Sequence, residues 1–277
     1  MKLVLATLAF VLALTNAAPA GQPLKVCAFN VQIFGANKAK NSNVMKILGQ
    51  IFSKYDLCLI QEIRDTKDAS INALLAEING EGDDYRMILS DRLGRSNSKE
   101  QYGFFYNKNK ISIADSFHFD DEKHGDLFER EPFIVRFKAP KASVKDFFIA
   151  GIHTNPGAAK EEVASLVQAY DDAVKRFQIQ DGIIMGDFNA DCGYFAKKYW
   201  KENALRLDER FTWLIGDDEN TTVGKARCAY DRVVVAGETL PQHATSAQTY
   251  YYDQEYSLDL DTVRLVSDHY PVEFTIQ

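Results

Sequence analysis

The stretch Gly186-Asp187-Phe188-Asn189-Ala190-Asp191-Cys192 carries the plainest chemical signal in the chain. It follows the short apolar run Gly182-Ile183-Ile184-Met185, which has the length of a buried strand. A carboxylate and an amide placed just past a strand end sit on rigid backbone and suit a hard, oxygen-ligated cation. The same arrangement recurs. Asn30, Glu62 and His153 each end an apolar run, and Asp231 and Asp268-His269 each stand just before one. Three acids and an amide, Glu62, Asp187, Asp268 and Asn30, repel one another if they converge, and a divalent cation removes that cost. His153 and His269 are two of only five histidines. A histidine whose ring nitrogen is held by a carboxylate has a fixed tautomer and raised basicity, as general acid/base work requires.

The elements that must position these groups follow from periodicity. Leu24 to Phe29 reads as a strand ending at Asn30, and Asp56 to Gln61 as a strand ending at Glu62. Between them a helix from Asn43 carries Val44, Ile47, Leu48, Ile51 and Phe52 on one stripe. Ser70 is expected to cap a further helix through Ile78. The second half repeats the plan, with a strand from Asp146 ending at His153 and a strand ending at Asp187. A helix striped by Val163, Leu166, Val167, Tyr170, Val174 and Phe177 lies between. The step is 32 positions from Asn30 to Glu62 and 34 from His153 to Asp187. Parallel strands joined by a helical crossover place both C-terminal ends on one edge. Shorter strands are expected at Tyr102–Tyr106, Phe133–Phe137, Arg232–Val235 and Val272–Ile276. The fold class is α/β: two packed mixed β-sheets flanked by helices, a four-layer α/β/β/α sandwich with a cleft along one rim.

The chain has 277 residues. Met1-Lys2, an apolar run from Leu3 to Leu14 and Ala17-Ala18-Pro19-Ala20 describe a secretory signal peptide over 1–20, with cleavage near 18–23. A membrane anchor needs roughly 20 apolar residues, which this run lacks. Residues 21–277 then form one domain, which is expected to be secreted and monomeric and to lie on no membrane. A net charge of −7 excludes a protein that coats nucleic acid with a broad basic surface, but not one that grips phosphates locally. Arg92, Arg95 and Lys99 in the loop Ser90–Gln101, together with Arg64, could supply such contacts. Of four cysteines, Cys27 and Cys58 lie in apolar runs and read as buried thiols. Cys192 and Cys228 lie in polar loops and read as a disulfide in an oxidising compartment. The acidic loop from Asp120 to Glu131 could hold calcium, and Asn220-Thr221-Thr222 is an N-glycosylation acceptor sequence.

Phe29-Asn30, Leu59-Ile60-Gln61-Glu62-Ile63-Arg64-Asp65, Lys99-Glu100, Arg130-Glu131-Pro132 and Ile152-His153 occur in that order. The Asp187 stretch, Cys228-Ala229-Tyr230-Asp231-Arg232 and Ser267-Asp268-His269-Tyr270-Pro271 follow. Together they resemble the deoxyribonuclease I family, from about Leu24 to the C-terminus. The chain stops soon after its last strand without a basic tail, which is similar to deoxyribonuclease I and not to the tailed members. The resemblance implies an endonuclease that hydrolyses phosphodiester bonds of double-stranded DNA to 5′-phosphate ends. The cofactor would be Mg2+ or Mn2+, with Ca2+ in support. It implies catalytic pairs of His153 with Asp231 and of His269 with Glu100. Asn30, Glu62, Asp187 and Asp268 would surround the metal, and Arg64, Arg130, Asn189 and Tyr230 would contact phosphate. Asp121, Asp126, Phe128 and Glu131 would form a calcium site.

The chain departs from the family at several positions. Ser98 stands where a tyrosine is frequent and Gln32 where an arginine is common, which implies a weaker grip on the minor groove. Gly224 and Ala226 remove side-chain oxygens from a second calcium loop. Met87, Leu89 and Phe133 differ from the actin-contacting residues of some members, so actin binding is not expected. The rival readings are another metal phosphoesterase of the same fold, such as a sphingomyelinase, and a non-catalytic secreted binding module. The module reading predicts a broken histidine–acid pair, whereas all four residues are present here.

Overall fold

In a computed structural model, which describes residues 21–80 and 82–277, the recurring apolar runs pair edge to edge into two six-stranded sheets. The chain lays down β1 (Leu24–Phe34), β2 (Leu57–Ile63), β3 (Tyr85–Leu89) and β4 (Gln101–Asn107). It continues with β5 (Ser112–His118), β6 (Phe133–Lys138), β7 (Asp146–His153), β8 (Gly182–Asp187), β9 (Thr212–Trp213) and β10 (Asp231–Ala236). It then returns to the first sheet for β11 (Ala244–Thr249) and β12 (Val272–Ile276). The sheet orders are β11-β12-β1-β2-β4-β3 and β5-β6-β7-β8-β10-β9. Each sheet has a parallel central pair, β1–β2 or β7–β8, with antiparallel strands on both sides.

Side-chain alternation decides the layers. Along β1, Leu24, Val26 and Ala28 enter one apolar cluster, while Cys27 and Phe29 enter another. Leu57 and Leu59 of β2, Ile149 of β7, and Ile183 and Met185 of β8 join the first cluster, so it lies between the sheets. The helix Ser42–Phe52 covers the outer face of one sheet, and the helix Ala159–Phe177 covers the other. The first is capped by Asn41, whose side chain accepts from the N–H groups of Asn43 and Val44. The α/β/β/α sandwich expected from the sequence is the observed architecture.

The same alternation carries polar residues to one rim of the inter-sheet space. Two residues beyond Ala28 comes Asn30, two beyond Leu59 comes Gln61, and two beyond Met185 comes Asp187. Glu62 is out of phase, and its positive φ of 61° at a break in strand register turns it back. Gln61 donates to the carbonyl of Ile152 in the facing sheet at 2.6 Å. Gly186, at φ 135°, leaves room for that bridge.

Several expectations need correction. Cys27 and Cys58 are bonded to each other, not free: they sit opposite in the β1–β2 register with Cα atoms 4.6 Å apart. Ser70 does not cap its helix. It lies inside the first turn of Ala69–Ile78, and both its N–H and its hydroxyl go to the Asp65 carboxylate. Phe133 is buried and stacks on His118, so it is no surface residue and says nothing about a partner. Asn220 of the acceptor sequence is largely buried, its amide oxygen accepting from Thr222. The signal-peptide reading falls on residues 1–20, outside the described residues. Among the described residues no helix is long and apolar enough to cross a membrane.

Gly186→Ala should cost about 3 kcal/mol or more, since an added Cβ would collide with Ile152 O and meet Gln61 Nε2 at 2.8 Å in a backbone region hostile to alanine. Chemical denaturation measures this loss, and an unchanged midpoint would show that the inter-sheet bridge is not tight.

Candidate active site

Strand register puts His153, Asp187 and Asp231 side by side across β7, β8 and β10. Adjacent strands are about 4.8 Å apart, so His153 and Asp231 stand about 10 Å from each other with Asp187 between them. They cannot pair, and the expected pairing is therefore exchanged. His153 Nδ1 lies 2.6 Å from Glu100 Oε1, and His269 Nδ1 lies 2.8 Å from Asp231 Oδ2. Each pair crosses from one sheet to the other. Glu100 enters just before β4 and His269 just before β12, both of the first sheet, whereas His153 and Asp231 belong to the second.

All four side chains are buried, and their environments shift their proton affinities. Burial alone would raise Glu100, but His153, Arg130 and Arg64 outweigh it and hold the carboxyl down at about 2. Burial works against a charged His153 as well, yet Glu100 outweighs it and raises the imidazole above its usual range. For His269 burial is again the opposing force, and Asp231 with Asp187 pushes the ring up to about 10. With both Nδ1 atoms engaged, the two Nε2 atoms face one carboxylate: each is 3.6 Å from Asp187 Oδ2.

The oxygen ligands meet at the same point. Asn30 Nδ2 lies 3.1 Å from both Glu62 Oε1 and Asp187 Oδ2. Glu62 also accepts the N–H of Ile33, which with Gln32 sits at positive φ where the β1 loop turns sharply. Gln32 donates to Asp268 Oδ2 at 2.8 Å. Lys38 donates to the carbonyls of Val31 and Val266, joining β1 beside Asn30 to the segment just before Asp268. Burial pulls Lys38 down to about 8 against Asp268 and Glu62. Asp187 is 1% exposed, and its only ion-pair neighbours among the described residues are the two histidines. A buried carboxylate with acids and an amide around it fits a hard divalent cation. A second grouping that the sequence did not reveal, Asp187, Asp231 and His269, brings three ligand atoms within 4.8 Å of one another.

The phosphate candidates divide. Arg64 reaches Glu100 at 3.3 Å and Glu62 at 3.6 Å and donates to the Ser98 hydroxyl. Tyr230 is half-buried, 6.2 Å from the His269 ring, with the exposed Tyr194 ring tilted against it at 5.3 Å. Arg130 and Asn189 are engaged inside. Arg130 donates to the carbonyls of His153 and Thr154 and pairs with Glu100 at 2.9 Å. Asn189, at φ 47°, donates its amide to Thr154 O. In the loop expected to bind calcium, Asp121 caps the N–H groups of Leu127 and Phe128, and Asp126 pairs with Arg95 at 2.8 Å. A disulfide joins Cys192 and Cys228, tying the segment after Asn189 to the entrance of β10. Thr221, which no sequence signal marked, accepts the N–H groups of Tyr230 and Asp231 on one hydroxyl.

Comparison with known proteins agrees with this geometry. Residues 27–269 match the Endonuclease/Exonuclease/phosphatase family. Human deoxyribonuclease gamma is 40% identical over 262 residues, covering 92% of this chain and 86% of that protein. Rat deoxyribonuclease-1 is 39% identical over 272 residues, covering 96% of both. The two identities are too close to separate the types. A solved endonuclease/exonuclease/phosphatase from Bacteroides vulgatus superposes with a TM-score of 0.63 at 17% identity, over 92% of this chain and 99% of that one. Truncated Caenorhabditis elegans TDP2 gives 0.62 at 12% identity, over 91% and 96%. These structures share the fold.

The depressed Glu100 carboxyl contributes stability that is complete above about 4.5, its unfolded value, and lost as pH falls toward about 2. Glu100→Gln should therefore flatten the acid-unfolding curve across that window. A variant whose stability falls as steeply as wild type there would contradict the assigned pairing.

Proposed function

The chain belongs to the endonuclease/exonuclease/phosphatase family, and on that premise we propose that it is a secreted, divalent-metal-dependent endonuclease acting on double-stranded DNA. The observation that carries the reading is the placement of two imidazole Nε2 atoms at 3.6 Å from one Asp187 oxygen. Each ring is locked from behind by its own buried acid. A ring held this way presents a single nitrogen to the cleft and can move one proton there. Hydrolysis of a phosphodiester needs two such transfers, one from the attacking water and one to the leaving 3′ oxygen, and leaves a 5′-phosphate.

Asn30, Glu62, Asp187 and Asp268 would hold Mg2+ or Mn2+. When bound, that cation supplies positive charge to the phosphate oxygens. Arg64 and Tyr230 reach the cleft and suit phosphate contact, while Arg130 and Asn189 hold the backbone around His153 and Asp187. Calcium in the Asp121–Glu131 loop would take the carboxylates of Asp126 and Glu131 and order that loop from outside the cleft. Secretion is supported by the disulfides and the deoxyribonuclease relatives.

His153→Ala and His269→Ala should each lower plasmid nicking by at least about 100-fold, in variants that stay folded at the assay temperature although the loss of a partner from a buried acid lowers their melting temperature. Either variant nicking like wild type would sink the two-histidine mechanism. EDTA should abolish nicking and Mg2+ or Mn2+ should restore it. Activity that persists in EDTA, or cleavage of sphingomyelin in place of plasmid, would refute the metal-dependent DNA reading.

A further inference from the structure

Glu162 lies on the apolar stripe of the helix Ala159–Phe177, between Ala159 and Val163 on one side and Leu166 on the other, and is only 1% exposed. A carboxylate at such a position costs several kcal/mol unless its oxygens are answered. They are answered by two main-chain donors from different segments: Oε1 accepts from Glu129 N and Oε2 from Asn155 N, both at 3.0 Å. Glu129 precedes Arg130, and Asn155 lies two residues past His153. Arg130 in turn donates to the carbonyls of His153 and Thr154 and pairs with Glu100, the partner of His153. The two segments thus touch at the guanidinium and again at Glu162, and only the second contact is anchored in a long helix.

We propose that Glu162 is a positioning residue, clamping the Arg130 segment to the segment after His153 so that the His153–Glu100 pair keeps its geometry; this rests on the nuclease reading above. Only a carboxylate serves, because both donors need an acceptor. A glutamine offers one oxygen and turns its NH2 toward the other N–H.

The test compares wild type, Glu162→Gln, Arg130→Lys and the double variant at about pH 8, above the value near 7 to which burial raises this carboxyl. Kinetics of plasmid nicking are measured beside amide hydrogen exchange at Glu129 and Asn155. Glu162→Gln should lose about tenfold to 100-fold in kcat with little change in KM, and exchange at one of the two amides should accelerate. On the Arg130→Lys background the same change should cost far less, because its route to His153 is already cut. If glutamine prevents folding, Glu162→Asp, which keeps both oxygens on a shorter stem, should show the same pattern in smaller measure. Wild-type kcat in a folded variant overturns the proposal, and so does an equal loss on both backgrounds. A wild-type chain that does not nick plasmid refutes the nuclease reading instead, and unchanged exchange at both amides then disposes of the clamp separately.

Discussion

Four carboxylates are buried at one end of this protein, and the rest of the site is organised by the need to answer them. Glu100, Glu162, Asp187 and Asp231 are each no more than 1% exposed. An unanswered charge in such a place costs several kcal/mol, whereas a partner at about 4 Å returns roughly 4 kcal/mol in a medium of intermediate polarity. Glu100 is answered by His153 and Arg130, Asp231 by His269, and Glu162 by two amides. Asp187 is left with an amide, a backbone N–H and two histidines that already have partners. Both of its oxygens are thus hydrogen-bonded, whereas Asp231 Oδ1 has no partner among the described residues, and Asp187 lies at the centre between the two rings. Each ring is already held by its own acid, so on the proposed reading this central carboxylate is where a cation would meet the anionic substrate.

The layers were legible because the same alternation that separates inner from outer side chains runs uninterrupted into the polar ends. The repeated step of strand, helix and strand was legible for the same reason. The edge strands were not. β5 and β11 carry Ser, Asp, Thr and Gln among their few apolar residues, and one face of each meets solvent, so no period-two signal survives. The Cys27–Cys58 bond was missed although its signal was present. Cys27 precedes Asn30 by three positions and Cys58 precedes Gln61 by three, and Asn30 and Gln61 are register partners. Two apolar runs read separately show two buried thiols, whereas the runs laid in parallel register show a cross-link.

Which polar residues stand at strand ends was readable, but which of them pair was not. Which acid serves which histidine depends on strand order, and composition at strand ends does not contain it. Once β8 is known to lie between β7 and β10, Asp231 is out of reach of His153, and the acid must come from the facing sheet. The supporting residues were hidden by their surroundings. Thr221 and Gln61 sit in stretches that read as loop or strand, and their roles appear only when distant segments meet. Glu162 is different, because a carboxylate on the core stripe of an amphipathic helix conflicts with its neighbours, and such conflicts between levels mark sites.

The division among the phosphate candidates reconciles a net charge of −7 with a polyanionic substrate. Arg130 donates to two carbonyls and pairs with Glu100, and the neutral amide of Asn189 donates to Thr154, so both are engaged within the protein. Arg64 remains, and it is already shared among Glu62, Glu100 and Ser98. On the proposed reading, then, the four candidate side chains neutralise little phosphate charge by themselves. Charge complementarity in the cleft would then come chiefly from a cation held by Asn30, Glu62, Asp187 and Asp268. Metal binding and substrate binding are in that case one coupled event, since the acids that repel phosphate in the empty cleft are the acids that recruit the ion that attracts it.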